Sequence, residues 1–233
     1  MLEIGRLSSA YGLAQVLFEL TLDVRAGEVA VLLGRNGAGK STCLKSLIGL
    51  LPPLSGKISF DGRRIDGLEP FQIARLGLGY VPEDRRIFSE LTVMQNLEVG
   101  RQDARSGHLQ WTPRRLFELF PNLGRMQHRL GARMSGGEQQ MLTIARTLMG
   151  NPKAILLDEP SEGLAPLIAE QLADTVLELK REGLTILLCE QSLYFAQRVA
   201  DRAFIIEKGR VRYAVTSLVR VADTEICDQY LSA

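Results

Sequence analysis

Gly34-Arg35-Asn36-Gly37-Ala38-Gly39-Lys40-Ser41 has the G-x-x-x-x-G-K-[ST] spacing of a loop that wraps phosphate. Gly34, Gly37 and Gly39 allow backbone conformations closed to larger residues, so successive N–H groups can face phosphate oxygens, helped by the positive end of the helix that follows. In such a loop Lys40 reaches the β- and γ-phosphates and Ser41 binds magnesium. A second candidate is the carboxylate pair Asp158-Glu159, which ends the apolar run Ala154-Ile155-Leu156-Leu157. Unpaired buried charge is costly, so two acids at a strand end point to chemistry: Asp158 to hold a metal, Glu159 to orient or deprotonate a water. A third is Ser135-Gly136-Gly137-Glu138, where a Ser-capped helix start leaves free N–H groups that favour an anion. Taken alone, that third signal is weak.

The elements needed to position these groups are legible. Val29 to Leu33 is a short all-apolar run that reads as a buried parallel strand, and Leu44, Leu47, Ile48 and Leu51 recur at helical spacing until Pro52-Pro53. The phosphate loop therefore joins a strand to a helix. Before it, residues 1 to 27 read as antiparallel strands, with Phe18, Leu20, Leu22 and Val24 facing inward by alternation and Tyr11-Gly12 in a turn. After it come a strand at Gly56 to Phe60, a short helix at Pro70 to Leu76 and a strand at Leu78 to Val81, which Pro82 ends ahead of the charged loop Glu83 to Arg86. From about residue 88 to 150 the strand signal gives way to helical pieces, with a polar loop at 101 to 112. Trp111 at its end reads as packing. A buried strand to Asp158, a helix to Gly183, a strand at Thr185 to Cys189, a hairpin at Ala203 to Ala214 and a short helical tail to Ala233 complete the chain. The fold class this predicts is α/β: a phosphate-loop core of mostly parallel sheet, with an antiparallel β subdomain and an inserted helical subdomain at about 88 to 150, all within one domain spanning residues 1–233.

Composition narrows the partners. Lys and Arg number 28 against 27 Asp and Glu, so no broad basic footprint for nucleic acid is evident. Cys43, Cys189 and Cys227 are odd in number and far apart, and His108 and His128 are isolated, which argues against a disulfide framework or a metal centre built on them. No apolar run approaches the roughly 20 residues of a membrane helix, so a membrane location would need a partner.

With these motifs in this order, the chain resembles the ATP-binding subunits of ABC transporters over nearly its whole length. Gly34 to Ser41 matches the Walker A loop, Asp158 and Glu159 match Walker B and its catalytic glutamate, Ser135 to Gln139 the signature, and Ser161 to Pro166 the D-loop. The resemblance implies ATP and Mg2+ as cofactors. It assigns nucleotide binding to Tyr11 (stacking on adenine), Gly34, Arg35, Asn36, Gly37, Ala38, Gly39, Lys40, Ser41 and Thr42, and to Ser135, Gly136, Gly137 and Glu138. Metal binding falls to Ser41, Asp158 and Glu83, and catalysis to Glu159, Lys40 and Gln191. In such proteins two subunits pair head to tail, each signature closing on ATP held by the other.

Three positions depart from the general pattern: Met134 opens the signature, Glu83 replaces a glutamine, and Gln191 replaces a histidine. Val81-Pro82-Glu83 with Arg85-Arg86-Ile87-Phe88, Ser161 to Pro166 and Glu190-Gln191 together resemble the LivF type of branched-chain amino acid importer ATPase, to which urea and amide importer subunits are similar. The resemblance implies a second ATP-binding subunit (a paralogue or a second copy), transmembrane permease subunits, an indirect periplasmic binding protein, and a place on the cytoplasmic face of a bacterial inner membrane. Three other readings fit less well. A non-transport ABC ATPase would need a coiled-coil insertion, tandem cassettes or a basic surface; a small-molecule kinase has no use for the signature; a regulatory module without turnover is opposed by Glu159.

Overall fold

The computed structural model describes residues 1–103 and 110–216. His108, Cys227, residues 104 to 109 of the polar loop and the helical tail to Ala233 lie outside the described residues.

Two sheets carry the chain. The first is antiparallel, in the order β2-β1-β4-β5, from β1 (Leu2–Tyr11), β2 (Ala14–Val24), β4 (Ser55–Phe60) and β5 (Arg63–Arg64). The second has the order β10-β9-β3-β8-β7-β6, from β3 (Val29–Leu33), β6 (Leu78–Val81), β7 (Ala154–Asp158), β8 (Thr185–Glu190), β9 (Arg202–Glu207) and β10 (Arg210–Val215). Its strands pair in parallel except for β10, which closes the edge as an antiparallel hairpin with β9.

The central strands are apolar throughout because both faces are covered. In β3, Val29, Val31 and Leu33 enter one core with Ile155, Leu157, Ile186 and Leu188, while Ala30 and Leu32 enter a second with Leu156, Leu187 and Cys189. The first core is closed by α6 (Gly136–Leu148), α7 (Pro166–Arg181) and α8 (Leu193–Val199); the second by α1 (Lys40–Leu47) and the antiparallel sheet. Burying one such Val or Leu contributes about 1.5–3 kcal/mol, so the sheet that presents the site is anchored by both cores.

Between β6 and β7 the described residues form no strand: α3 (Val93–Val99), α4 (Pro113–Leu119), α5 (Pro121–Arg125) and a 3-10 turn at Gly131–Arg133 precede α6. Thr92 caps α3, its hydroxyl accepting from Gln95 N. α2 (Pro70–Leu76) begins on Glu69 with a proline in its first turn. Trp111 is buried, with its backbone N–H donating to Asn151 Oδ1 at 2.7 Å, which agrees with a packing role.

Two sequence expectations are corrected. Strict alternation in β2 fails at Glu19, whose φ of 51° marks a bulge, so Leu17 and Leu20 are both buried. Phe18 is left half-buried, with the Arg210 guanidinium 5.3 Å from its ring centre. An extra residue in one strand reverses the side-chain phase beyond it, and alternation alone does not reveal where it sits. Strand β8 also runs one residue further than its apolar pattern, so Glu190 ends the strand and Gln191 follows it.

Candidate active site

The phosphate loop leaves β3 at the carboxyl edge of the parallel sheet, where α/β folds place ligands. Gly37 and Gly39 have φ of 78° and 109°, in the left-handed region. Gly34 is required for a different reason: a Cβ there would lie 2.5 Å from the Ile206 carbonyl oxygen of β9. Arg35 and Asn36 are exposed at the tip of the loop, whereas Ala38, Lys40 and Thr42 are buried and Ser41 is half-buried.

Lys40 holds the loop closed. Its ammonium, on a side chain only 2% exposed, donates to Gly34 O at 2.7 Å and Arg35 O at 3.0 Å and pairs with Glu159 Oε1 at 3.1 Å. Two of its three donors are committed to loop carbonyls, and the Glu159 carboxylate supplies the opposite charge beside them. Glu159 sits just past β7 with a φ of 45°, its N–H donating to Cys189 O at 3.0 Å. Backbone strain of this kind persists where its surroundings over-determine it, and here it turns the carboxylate into the loop. The other oxygen, Glu159 Oε2, is buried and meets no donor among the described residues while the neighbouring Glu162 carboxyl is ionised.

Asp158, one residue earlier, faces α1. Ser41 Oγ donates to its Oδ1 at 2.9 Å and Tyr80 Oη to its Oδ2 at 3.1 Å. Burial pushes the Asp158 carboxyl above its ordinary range and the Glu159 and Glu83 charges add to that, while the Ser41 and Tyr80 hydrogen bonds act the other way. Such a carboxylate is short of positive charge. Exposed Glu83 borders the same pocket of about 260 Å³ with Asp158, Tyr80, Pro82 and Lys45. Ser41 thus meets Asp158 directly and Glu83 shares a pocket with it, which sets hard oxygen groups beside the phosphate loop.

The loop carrying Glu83 is tied to the signature helix. Thr143 Oγ1 on α6 donates to Arg85 O at 2.8 Å, and Arg146 Nη2 donates to Arg86 O at 2.7 Å. At the start of α6, Ser135 N donates to Glu138 Oε2 at 2.7 Å and Ser135 Oγ accepts from Glu138 N, a capping box on an exposed end. Gly136 and Gly137 are closely approached by side chains: a Cβ on the first would lie 2.6 Å from Arg85 Nη1, the end of a flexible side chain that can move, and one on the second 2.8 Å from Ile168. Among the described residues, Ser135 to Glu138 make no hydrogen bond or ion pair with the chain's own phosphate loop. Tyr11 ends β1 and is 48% exposed, leaving its ring open for stacking.

Sequence reading gave no individual role to three residues that the structure ties to the site. Glu190, buried at the end of β8, accepts from Ser161 N at 3.1 Å and Ser192 N at 3.4 Å, and so ties the loop after Glu159 to the loop carrying exposed Gln191. An acid ending an apolar strand, the signal used for Asp158, also marks it. Tyr80 carries no such signal, because its partner is known only once β6 is placed beside β7. Glu162 is the third. Hydrogen bonding to Glu159, then burial, pushes its carboxyl up to about 7 from an ordinary 4.5. The folded chain therefore binds more protons than the unfolded chain between those values, and stability falls as pH rises from 4.5 to 7. Glu162→Gln is expected to flatten that part of the stability–pH curve, measured by urea denaturation across the interval.

A parallel sheet with a phosphate loop at its carboxyl edge, an acid two strands away hydrogen-bonded to that loop's serine, and a second acid paired with its lysine has the layout of a phosphate-loop nucleotide site. Residues 17–162 match the family described as ABC transporter. The chain is 42% identical over 231 residues to the high-affinity branched-chain amino acid transport ATP-binding protein BraG of Pseudomonas aeruginosa, covering 99% of each. It is 34% identical to the probable branched-chain amino acid transport ATP-binding protein LivF of Archaeoglobus fulgidus, covering 93% of this chain and 92% of that one. Among solved structures, a nucleotide-free ATP-binding cassette from an ABC transporter superposes with a TM-score of 0.84 at 25% identity, over 98% of this chain and 97% of the other. The chain belongs to the ABC transporter family, as an ATP-binding ATPase subunit.

Proposed function

We propose that this subunit hydrolyses Mg-ATP to power uptake of branched-chain amino acids. It would sit on the cytoplasmic face of a bacterial inner membrane, held by permease subunits and paired with a second ATP-binding subunit. The observation that supports it is a divided site: candidate phosphate and metal groups around Lys40 and Asp158, and a helix start with Ser135 exposed at its cap that bonds to none of them. A site so divided works when another subunit supplies the missing half. The solute class rests on the likeness to BraG and LivF along almost the whole chain. Among the described residues, no helix is long and apolar enough to cross a membrane, so the permease is the anchor in this reading.

The chemistry follows from the groups present. Backbone N–H groups of the loop and first helical turn bind the phosphates, those of Gly34 and Ala38 excepted because they donate to Glu190 O and Arg35 O, and Lys40 transfers its hydrogen bonds from the Gly34 and Arg35 carbonyls to phosphate oxygens. Ser41, Asp158 and Glu83 would hold Mg2+, which when bound would supply positive charge against the phosphates. Glu159, released from Lys40, accepts through its free Oε2 a hydrogen bond from the attacking water and takes its proton. Gln191 donates to the γ-phosphate, and as a neutral amide it brings no positive charge. Tyr11 stacks on adenine; such stacking is worth about 1–3 kcal/mol per base. Tyr11→Ala is accordingly expected to weaken ATP binding about tenfold in a direct titration, with the turnover of bound ATP kept.

For the permease, the fitting surface is an apolar groove of about 480 Å³ whose walls include Leu50, Phe71, Phe88 and Val99. These side chains are 48%, 57%, 47% and 55% exposed, which is large for apolar groups gathered in one place. Purification of the tagged chain from its native membrane should bring down two permease subunits and a second ATPase. Deletion of the gene should abolish uptake of labelled leucine, isoleucine and valine. Loss of urea or amide uptake with leucine uptake intact would overturn the solute assignment, and a preparation without any membrane subunit would overturn the transport reading.

A further inference from the structure

Tyr80 stands at a junction that the catalytic groups do not account for. It lies on β6, at the edge of the parallel sheet, paired in register with Leu156 of β7. Two residues along β7, on the same face, is Asp158. The tyrosine hydroxyl spans that offset and donates to Asp158 Oδ2 at 3.1 Å, while Ser41 occupies Oδ1. Its ring meanwhile forms part of two walls. On one side it lines the pocket shared by Asp158 and Glu83; on the other it lines the apolar groove with Phe71, Phe88 and Val99.

We propose that Tyr80 is a positioning residue that fixes the Asp158 carboxylate for the metal and relays occupation of the apolar groove to that carboxylate. A carboxylate at a strand end can rotate about its side-chain bonds. Two donors on its two oxygens fix that rotation, and of the two only Tyr80 has a surface outside the site. A segment packed into the groove presses on the tyrosine ring, and a ring held still holds its hydroxyl against Oδ2. Hydrogen-bonding partners of metal ligands change metal affinity by about 10- to 100-fold when removed. The second half of the proposal, the relay, rests on the permease being the occupant of the groove. The first half does not.

Tyr80→Phe removes the hydroxyl and keeps the ring. Mn2+ binding to the isolated chain with a non-hydrolysable ATP analogue, followed by electron paramagnetic resonance, should weaken about tenfold or more. ATP binding in EDTA and the melting temperature of the nucleotide-free chain serve as the comparison. ATP affinity in EDTA should stay near wild type, because it needs no oriented Asp158, and the melting temperature should fall only by the loss of one hydrogen bond to a buried carboxylate oxygen. Unchanged Mn2+ affinity would overturn the positioning role, and so would an equal loss of ATP affinity in EDTA, which would mark a general disturbance of the site. For the relay, half-saturating Mg2+ for hydrolysis is compared between the isolated chain and the purified transporter. In the wild type the transporter should need less Mg2+, and in Tyr80→Phe that advantage should disappear. An advantage that survives Tyr80→Phe, or none in the wild type, overturns the relay and leaves the Mn2+ result standing. A chain that brings down no permease fails the transport reading, again with the Mn2+ result untouched.

Discussion

Glu159→Gln should bind ATP as the wild type does and hydrolyse about 100- to 10,000-fold more slowly, the range that a positioned general base contributes. The amide keeps the shape of the side chain and can still accept from Lys40 through its oxygen, so the loop and its neighbours stay in place. What it loses is the basic oxygen. Oε2 is the one buried carboxylate oxygen around the loop that meets no donor among the described residues while the Glu162 carboxyl is ionised, and a water there would meet an acceptor able to take a proton. Equilibrium binding of a fluorescent ATP analogue, set beside phosphate release under saturating Mg-ATP, separates the two effects. Steady-state turnover near wild type with binding retained would exclude Glu159 as the base.

Lys40→Ala is expected to fail earlier, at nucleotide binding, and to destabilise the nucleotide-free protein as well. The phosphates lose their one buried ammonium. In the resting chain, Glu159 Oε1 loses its partner at 3.1 Å while Oε2 meets no donor with Glu162 ionised, so a buried carboxylate is left without compensation. Breaking a buried pair from one side typically costs about 3–5 kcal/mol. Adding Glu159→Gln to Lys40→Ala should therefore restore much of the stability and none of the ATP binding. Urea denaturation of the four proteins in the cycle measures the coupling. Additive losses would show that the ion pair contributes nothing to the resting fold.

Much of this arrangement is legible in the sequence because its signals are local. The phosphate loop carries its own glycines, the strands β3 and β7 announce themselves as unbroken apolar runs, and Ser135 with Glu138 is a helix start read from four residues. The bulge at Glu19 is not local in that sense: it depends on how β1 and β2 register, and it moves Leu17 into the core at the expense of Phe18. Tyr80 is hidden for a similar reason, since its hydroxyl meets a residue 78 positions away on a neighbouring strand. Lys40 pairing with Glu159 belongs to the same class. Each motif is visible alone, but that the resting site joins them follows only from the turn that Glu159 makes at φ 45°.

The division of the site between subunits is tested most directly by phosphate release per chain as a function of protein concentration. The chain would be measured alone, then with the second ATPase and the permease subunits. Because Ser135 to Glu138 lies apart from the chain's own phosphate groups, the rate per chain should be low in dilute monomer and rise with concentration or on assembly. A rate that stays high and flat on dilution, where sedimentation shows only monomer, would mean that one chain completes its own site and would contradict the shared-site mechanism.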